Sequence, residues 1–174
     1  VLPHPKYQYF KIDLSLLLKN TSLVTSHSNP EVFFRKLNKF KKSKIIYVYR
    51  DIRDVLVSWM YFTIKPTLQK RWPEYKHKTI SSIMSDSNLI KSQVSNWVSH
   101  LESAFALKDN MLLIKYENLV KEKLVNLKLI DNHLGTQSNL EKIIIETSIN
   151  KMRLESKDHI RKVDTKKKWS DIFN

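Results

Sequence analysis

Apolar and polar positions along the chain predict short strands that lead directly into helices. The run 45–49 is apolar, β-branched and aromatic, which is typical of a buried strand. A charged corner follows at 50–54, and apolar residues then recur at helical spacing as far as Phe62. Open α/β sheets bind ligands beyond the carboxyl ends of their strands. We therefore expect Arg50 at the strand end and Ser58 on the helix to face one anion.

A similar strand and helix are predicted before this segment. Residues 23–25 are a short strand candidate, and 31–41 has apolar residues on one face of a helix that Asn29 can cap. A strand, a helix and a second strand in this order favour parallel pairing with a right-handed crossover. Both strand ends then lie on the same edge, where His27 and Arg50 can face one cleft.

The rest of the chain alternates helices with one further strand. The pattern predicts a polar surface loop at 63–85, helices at 89–107, 118–133 and 139–147, and a buried strand at 111–114. Asp86 or Ser87 can cap the first of these helices. Gly135, the single glycine of the chain, follows the second helix and is expected to end it in a left-handed conformation.

Composition excludes several classes of protein. The chain has 174 residues, which is the size of one domain. Hydrophobic residues make up 41% of it, enough for a hydrophobic core. It contains no cysteine, which excludes disulfides, thiolate nucleophiles and cysteine-based metal sites. A single glycine excludes a glycine-rich phosphate loop. No apolar run is as long as a membrane span, and no signal-peptide pattern opens the sequence.

The charge balance indicates an anionic partner. The chain carries 31 basic and 17 acidic side chains, a formal net charge of +14. Such an excess favours polyanionic or phosphate-bearing partners, and nucleic acid is the simplest interpretation. The lysines, however, are spread along the chain and cluster only at 39–44 and 161–168. A solvated basic surface fits this dispersion at least as well as a nucleic-acid footprint.

Arg50, Asp54 and Ser58 form the pattern R-x-x-x-D-x-x-x-S directly after the apolar strand. This pattern resembles the 3′-phosphate-binding segment of the cytosolic-type sulfotransferases, which use 3′-phosphoadenosine 5′-phosphosulfate (PAPS) as sulfuryl donor. In that family a histidine after the preceding strand is the general base, and Ser26-His27 stands in that place. An imidazole suits this role because it accepts a proton near neutral pH. A single histidine near a turn is otherwise more often structural.

Two further stretches resemble the adenine site of that family. In L-L-I-K-Y-E-N at 112–118, Tyr116 matches the tyrosine that reaches the adenine, although packing at a strand end explains it equally well. Thr147 and Ser148 match the T-S-F motif, whose hydroxyl and phenylalanine hold the adenine. Ile149 replaces that phenylalanine and loses its stacking, worth about 1–3 kcal/mol on bases. The resemblance therefore implies weaker cofactor binding.

The last residues resemble the family's basic loop around the 3′-phosphate. Arg161 and Lys162 match its R-K pair, and Trp169 and Phe173 match the aromatic residues that attach the loop to the domain. Val163 stands where the family has a glycine that lets backbone N–H groups approach the phosphate. A disordered basic end or a nucleic-acid arm is the alternative interpretation of this segment.

The resemblance implies a fold, a reaction and partners. The fold would be α/β, a three-layer, P-loop-NTPase-like parallel sheet flanked by helices, with residues 1–174 in a single domain. The reaction would be cytoplasmic and would transfer the sulfuryl group of PAPS to a hydroxyl of a small-molecule or carbohydrate acceptor. His27 would be the base, with no metal, nucleic acid or membrane span involved. The cofactor-binding residues would be Arg50, Ser58, Tyr116, Thr147, Ser148, Ile149, Arg161 and Lys162.

The first strand of the family and its phosphosulfate-binding loop have no counterpart in this sequence. We therefore expect an N-terminally incomplete fold that transfers little or no sulfate by itself. Two alternatives stay open: a basic, non-enzymatic nucleic-acid-binding module, and a degenerate, inactive sulfotransferase. A nucleic-acid-binding module would bind any polyanion, with an affinity that falls steeply as the salt concentration rises. A sulfotransferase would bind adenosine 3′,5′-bisphosphate selectively over adenosine monophosphate.

Overall fold

The computed structural model describes residues 25, 27–37, 43–66, 72–148, 150–151 and 154. These residues belong to two compact units. Unit 1 draws on Val1–Lys41 and Ser58–Ala106, and unit 2 draws on Lys42–Val57 and Leu107–Asn174. The single domain expected for 1–174 stays a prediction.

The secondary-structure elements follow the predicted alternation of helices and strands. In chain order they are helix α1 (Pro30–Leu37), strand β1 (Ile46–Tyr49), helix α2 (Ile52–Thr63), a 3-10 turn (Pro73–Tyr75), helix α3 (Ile80–Met84), helix α4 (Ser87–Ala106), a second 3-10 turn (Lys108–Asn110), strand β2 (Leu112–Lys115), and helices α5 (Tyr116–Lys121), α6 (Lys123–Leu134) and α7 (Leu140–Glu146). Within the residues just given, no helix has the length and apolar character needed to cross a membrane.

The two strands of unit 2 pair in parallel, with Ile46 opposite Leu112 and Tyr49 opposite Lys115. Parallel neighbours need a long connection, and here helices α2, α3 and α4 lie between them in the chain. This arrangement agrees with an α/β fold. The described part of the sheet has two strands, so the three-layer, P-loop-NTPase-like arrangement stays a prediction. The strand expected at 23–25 lies largely outside the described residues.

Helix α4 is the long helix of unit 1 and confirms the helix expected at 89–107, with both ends slightly earlier. Asp86 caps it: its Oδ1 accepts a hydrogen bond from the Leu89 N–H at 3.0 Å, and its backbone oxygen accepts from the Ile90 N–H at 3.0 Å. Lys78 lies 3.5 Å from the same carboxylate. The residue directly before the helix therefore both caps it and forms an ion pair.

The prediction that 63–85 is a surface loop is wrong. Its described residues include a 3-10 turn and helix α3, and they bury Trp72, Tyr75 and Ile83 in unit 1. The Tyr75 ring meets the Trp59 ring edge-on, with centroids 6.0 Å apart. The large apolar residues are spaced too widely to show a helical or strand period. They are buried because they reach a common core from different turns of an irregular backbone.

A break at Glu122 divides the helix that was expected over 118–133 into α5 and α6. The buried Asn126 holds this break, because its Nδ2 donates to the backbone oxygens of Asn118 and Glu122, each at 3.0 Å. Asparagine in the middle of a helix is usually a surface residue. Here its amide lies where two successive helices meet, and it satisfies carbonyl groups at the end of the first.

Gly135 ends helix α6 as its position in the sequence predicted. Its φ is +73° and ψ is +33°, in the left-handed region, and its N–H bonds the backbone oxygens of Asp131 and Asn132. The Thr136 N–H reaches the Asp131 oxygen as well, at 3.0 Å. Helix α7 likewise confirms the helix expected at 139–147, and the Asn139 side chain caps it by accepting from the Lys142 N–H at 2.9 Å.

Replacing Asn126 by Ala should lower the free energy of unfolding by about 1–2 kcal/mol, because two carbonyl groups lose a donor and a small void opens. Urea denaturation measures the change. Asn132→Ala is the matched control, since Asn132 is an exposed residue on the same helix and gains the same helix propensity. Equal stability of the two variants would contradict the role of Asn126 at the break.

Candidate functional site

Strands β1 and β2 end side by side and bring Arg50 next to Tyr116. The register pairs Tyr49 with Lys115, so the residue after each strand also faces its counterpart. The guanidinium carbon of Arg50 lies 4.6 Å from the centre of the Tyr116 ring, which is cation–π geometry. Two of the residues that the sequence assigned to nucleotide binding are thus in direct contact.

Arg50 keeps part of its hydrogen-bonding capacity at this edge. Its Nη2 forms an ion pair with Asp54 Oδ2 at 3.2 Å, one helical turn further on. Its Nε is buried and has no hydrogen-bond partner. A guanidinium presents five N–H donors in a planar fork that matches the oxygens of a phosphate. An anion at this edge would supply the acceptor that Nε lacks.

Glu117 fixes the start of helix α2 to the end of strand β2. Its Oε1 accepts a hydrogen bond from the Asp51 backbone N–H at 3.0 Å, and its Oε2 is buried with no hydrogen-bond partner. The residue next to Arg50 in the chain is therefore bonded to the residue next to Tyr116. Sequence reasoning gave Glu117 no role. The signal that could have found it is an acidic side chain two residues after the second strand, at the predicted ligand edge.

Asp51 directly precedes helix α2 and pairs with the second arginine of the corner. Its Oδ1 accepts from the Arg53 backbone N–H and from Arg53 Nε, both at 2.9 Å, and its Oδ2 accepts from Arg53 Nη2 at 2.6 Å. The hydrogen bond from the Arg53 side chain lowers the pKa of Asp51 to about 2. The carboxylate is thus ionised at the N-terminal end of the helix, where negative charge is favourable.

Three other predicted nucleotide ligands lie in the described residues, on or next to helices α2 and α7. Ser58 is exposed on helix α2 and belongs to unit 1. Thr147 follows helix α7; its Oγ1 donates to the Ile143 oxygen at 2.7 Å, and its own carbonyl accepts from Lys123 Nζ at 3.0 Å. Ser148, next in the chain, is half-buried, and its N–H bonds the Ile145 oxygen at 3.1 Å. The phosphate and adenine contacts of these three residues stay predictions.

Three of the predicted ligands lie outside the described residues: Ile149, Arg161 and Lys162. The adenine contact of Ile149 and the basic loop around the 3′-phosphate stay predictions.

His27 lies in unit 1, three residues before helix α1. It is exposed by surface area, yet the surrounding protein partly desolvates the imidazole, and this lowers its pKa below the ordinary value of 6.5. His100 on helix α4 is half-buried. Its pKa is lowered mainly by burial, and the charge of His27 contributes to the same direction. Both imidazoles are therefore neutral at pH 7, the state in which a histidine accepts a proton.

The two parallel strands are connected through helices, which places the chain in the α/β class. An arginine and a tyrosine follow the carboxyl ends of these strands. The model of the sulfotransferase domain family matches residues 6–171. The chain belongs to this family, which confirms the resemblance seen in its motifs. The match does not favour the nucleic-acid-binding alternative.

Several curated relatives are sulfotransferases as well. Sulfotransferase 2A1 of Rattus norvegicus is 32% identical over 125 residues, which are 71% of this chain and 42% of the relative. The 3-beta-hydroxysteroid sulfotransferase of Cavia porcellus is 32% identical over 126 residues, 71% of this chain and 40% of the relative. Cytosolic sulfotransferase 5 of Arabidopsis thaliana is 26% identical over 142 residues, 76% of this chain and 44% of the relative. The chain thus spans less than half the length of these relatives. No solved structure matches it significantly.

Asp51 should make the free energy of unfolding depend on pH in the acid range. Its pKa is about 2 in the folded protein against 3.8 ordinarily, so the ionised carboxylate stabilises the fold above about pH 4 and this contribution is lost as the pH falls towards 2. Asp51→Asn keeps an oxygen for the Arg53 N–H and removes the charge. The difference in unfolding free energy between the two proteins should be constant near neutral pH and disappear near pH 2. Denaturant titrations at low salt measure it, and a difference that does not change with pH would contradict the ion pair.

Proposed function

We propose that the whole protein is a PAPS-dependent sulfotransferase that sulfates a hydroxyl of its acceptor. The observation that carries the proposal is the contact of Arg50 with Tyr116 at the ends of two parallel strands. The buried, unpaired Nε–H of Arg50 gives a charge-assisted donor for a phosphate. The adjoining Tyr116 is 39% exposed, so its ring is accessible to a purine.

In this proposal the nucleotide is bound through its 3′-phosphate and its adenine. The 3′-phosphate is held by Arg50, Ser58, Arg161 and Lys162, and the adenine by Tyr116, Thr147, Ser148 and Ile149. The assignments follow the family motifs that these residues match, and the contact of Arg50 with Tyr116 supports them. Asp54 contributes by fixing one end of the guanidinium while Nε remains available.

The chemistry that we propose is a single in-line displacement. PAPS supplies the sulfuryl group, and adenosine 3′,5′-bisphosphate is the leaving nucleotide. His27 accepts the proton of the acceptor hydroxyl as the acceptor oxygen bonds to sulfur. The bond from sulfur to the 5′-phosphate oxygen breaks, and its electron pair stays on the leaving nucleotide. The lowered pKa of His27 supports this role, because the imidazole is neutral before the proton arrives.

The acceptor in this proposal is a hydroxyl-bearing small molecule. Support comes from the relatives, two of which are named for 3-beta-hydroxysteroids and 3-alpha-hydroxysteroids. Such acceptors are apolar alcohols whose hydroxyl group is a poor nucleophile until a base takes its proton.

Arg50→Ala should weaken binding of adenosine 3′,5′-bisphosphate by about 10- to 100-fold, since a charge-assisted hydrogen bond is worth about 1.5–3 kcal/mol. Adenosine monophosphate lacks the 3′-phosphate, so its weaker binding should change little. Titration calorimetry on the whole protein, supported by thermal shifts, measures both affinities. Arg53→Ala is the matched control, because its guanidinium pairs with Asp51. Equal losses for the two nucleotides would remove Arg50 from the 3′-phosphate site.

His27→Ala should abolish sulfuryl transfer by the whole protein and leave the affinity for adenosine 3′,5′-bisphosphate unchanged. The reason is that the base contacts the acceptor and not the 3′-phosphate or the adenine of the nucleotide. His77→Ala is the control, since His77 is exposed and has no role in the proposal. Steady-state rates with PAPS and a simple alcohol or phenol measure the effect. In the wild type, the acidic fall of the rate should lie below pH 6.5, as the lowered pKa of His27 requires. Unchanged turnover in His27→Ala would exclude this histidine as the base.

A further inference from the structure

The segment that carries His27 is attached to helix α4 by a small hydrogen-bond cluster. The Oδ1 of Asn29 accepts from Ser103 Oγ at 2.8 Å and from the Glu31 backbone N–H at 3.0 Å. Ser103 Oγ in turn accepts from the same Glu31 N–H at 2.8 Å. A longer contact of 3.5 Å runs from Asn29 Nδ2 to the Ser99 backbone oxygen.

Ser103 makes two of these bonds with one hydroxyl group. It donates to Asn29 and accepts from the first turn of helix α1, which uses the dual capacity of a hydroxyl. Alanine at this position would lose both bonds, whereas threonine would keep them. The cluster therefore connects the loop before α1, the start of α1 and the C-terminal end of α4 through a single side chain.

The cluster lies close to His27 along the chain. Asn29 follows His27 by two residues, and the Pro30 that comes next is buried. His100 precedes Ser103 by three residues, which is one turn of helix α4 and the same side of it. The charge of His27 also contributes to the lowered pKa of His100.

We propose that Ser103 and Asn29 are positioning residues that hold His27 in place for proton transfer. The inference rests on the proposed function, in which His27 is the base. A general base acts only within about 2.6–3.2 Å of the proton it takes. Displacements of about 1 Å have large effects on rate, on the order of 10²-fold. The loop before helix α1 meets this requirement, because the Asn29 cap and the Ser103 hydroxyl hold the end of the loop in place.

The test compares three variants of the whole protein. Ser103→Ala removes both hydrogen bonds of the hydroxyl, and Ser103→Thr retains the hydroxyl. Ser99→Ala is the matched control on the same helix, because Ser99 contributes only its backbone oxygen. We expect Ser103→Ala to lower kcat about tenfold or more with little change in the KM for PAPS. Ser103→Thr should restore most of the rate, and Ser99→Ala should leave it unchanged.

A second readout is independent of turnover. The pKa of His27 can be followed by NMR of the whole protein with labelled histidine, using His27→Ala to assign the signal. In Ser103→Ala the loop gains freedom and water, so the pKa should rise towards 6.5. Should Ser103→Ala not fold, Asn29→Ala tests the same cluster from the other side and should shift the pKa in the same direction.

The outcomes separate the inference from the proposed function. An unmoved His27 signal in Ser103→Ala overturns the inference, whatever the rate does. A moved signal with an unchanged kcat overturns it as well, because the cluster then fixes the loop without serving the reaction. Turnover that survives His27→Ala rejects the proposed base, and this result is obtained without any change at Ser103.

Discussion

The parallel pairing of β1 with β2 is the constraint on which the candidate nucleotide site depends. Their hydrogen-bonded register sets Tyr49 against Lys115, and the Leu112 N–H bonds the Ile45 oxygen at the other end of the pair, at 2.9 Å. A slip of one residue would turn the strand side chains to opposite faces of the sheet and would separate Arg50 from Tyr116. Two residues far apart in the chain therefore meet because of backbone bonds, and their own attraction refines a contact that the register has already made.

The features that the sequence predicted correctly are those with local causes. Asn29 and Asp86 have short polar side chains that bond their own backbone before a helix, and Gly135 takes a left-handed conformation that other residues adopt at a cost. Apolar runs predicted the two strands, because a short run of apolar residues suits a partly buried sheet. In each case the information that determines the structure lies within about five residues of the position concerned.

The features that the sequence did not predict depend on partners from distant segments. Asn126 is polar, and only the meeting of two helices makes its burial favourable. Trp72 and Tyr75 have no helical or strand period, and only the shared core of unit 1 shows why they are buried. Glu117 and Ser103 are ordinary residues in the sequence, and each accepts a hydrogen bond from a backbone N–H in a distant segment of the chain. Such bonds leave no trace in the periodicity of apolar residues.

The two arginines of the corner show how local electrostatics divides roles within a strongly basic chain. Arg53 is held by Asp51 through two side-chain hydrogen bonds, so its charge is largely balanced at the helix start. Arg50, three residues earlier, makes one ion pair and lies on an aromatic ring with a buried N–H still unpaired. A net charge of +14 attracts anions to the whole surface, but it cannot select among them. Under the proposed function, selection requires a guanidinium that has contacts to orient it and a donor left for the anion, and the ion pair, ring contact and unpaired Nε of Arg50 support this assignment.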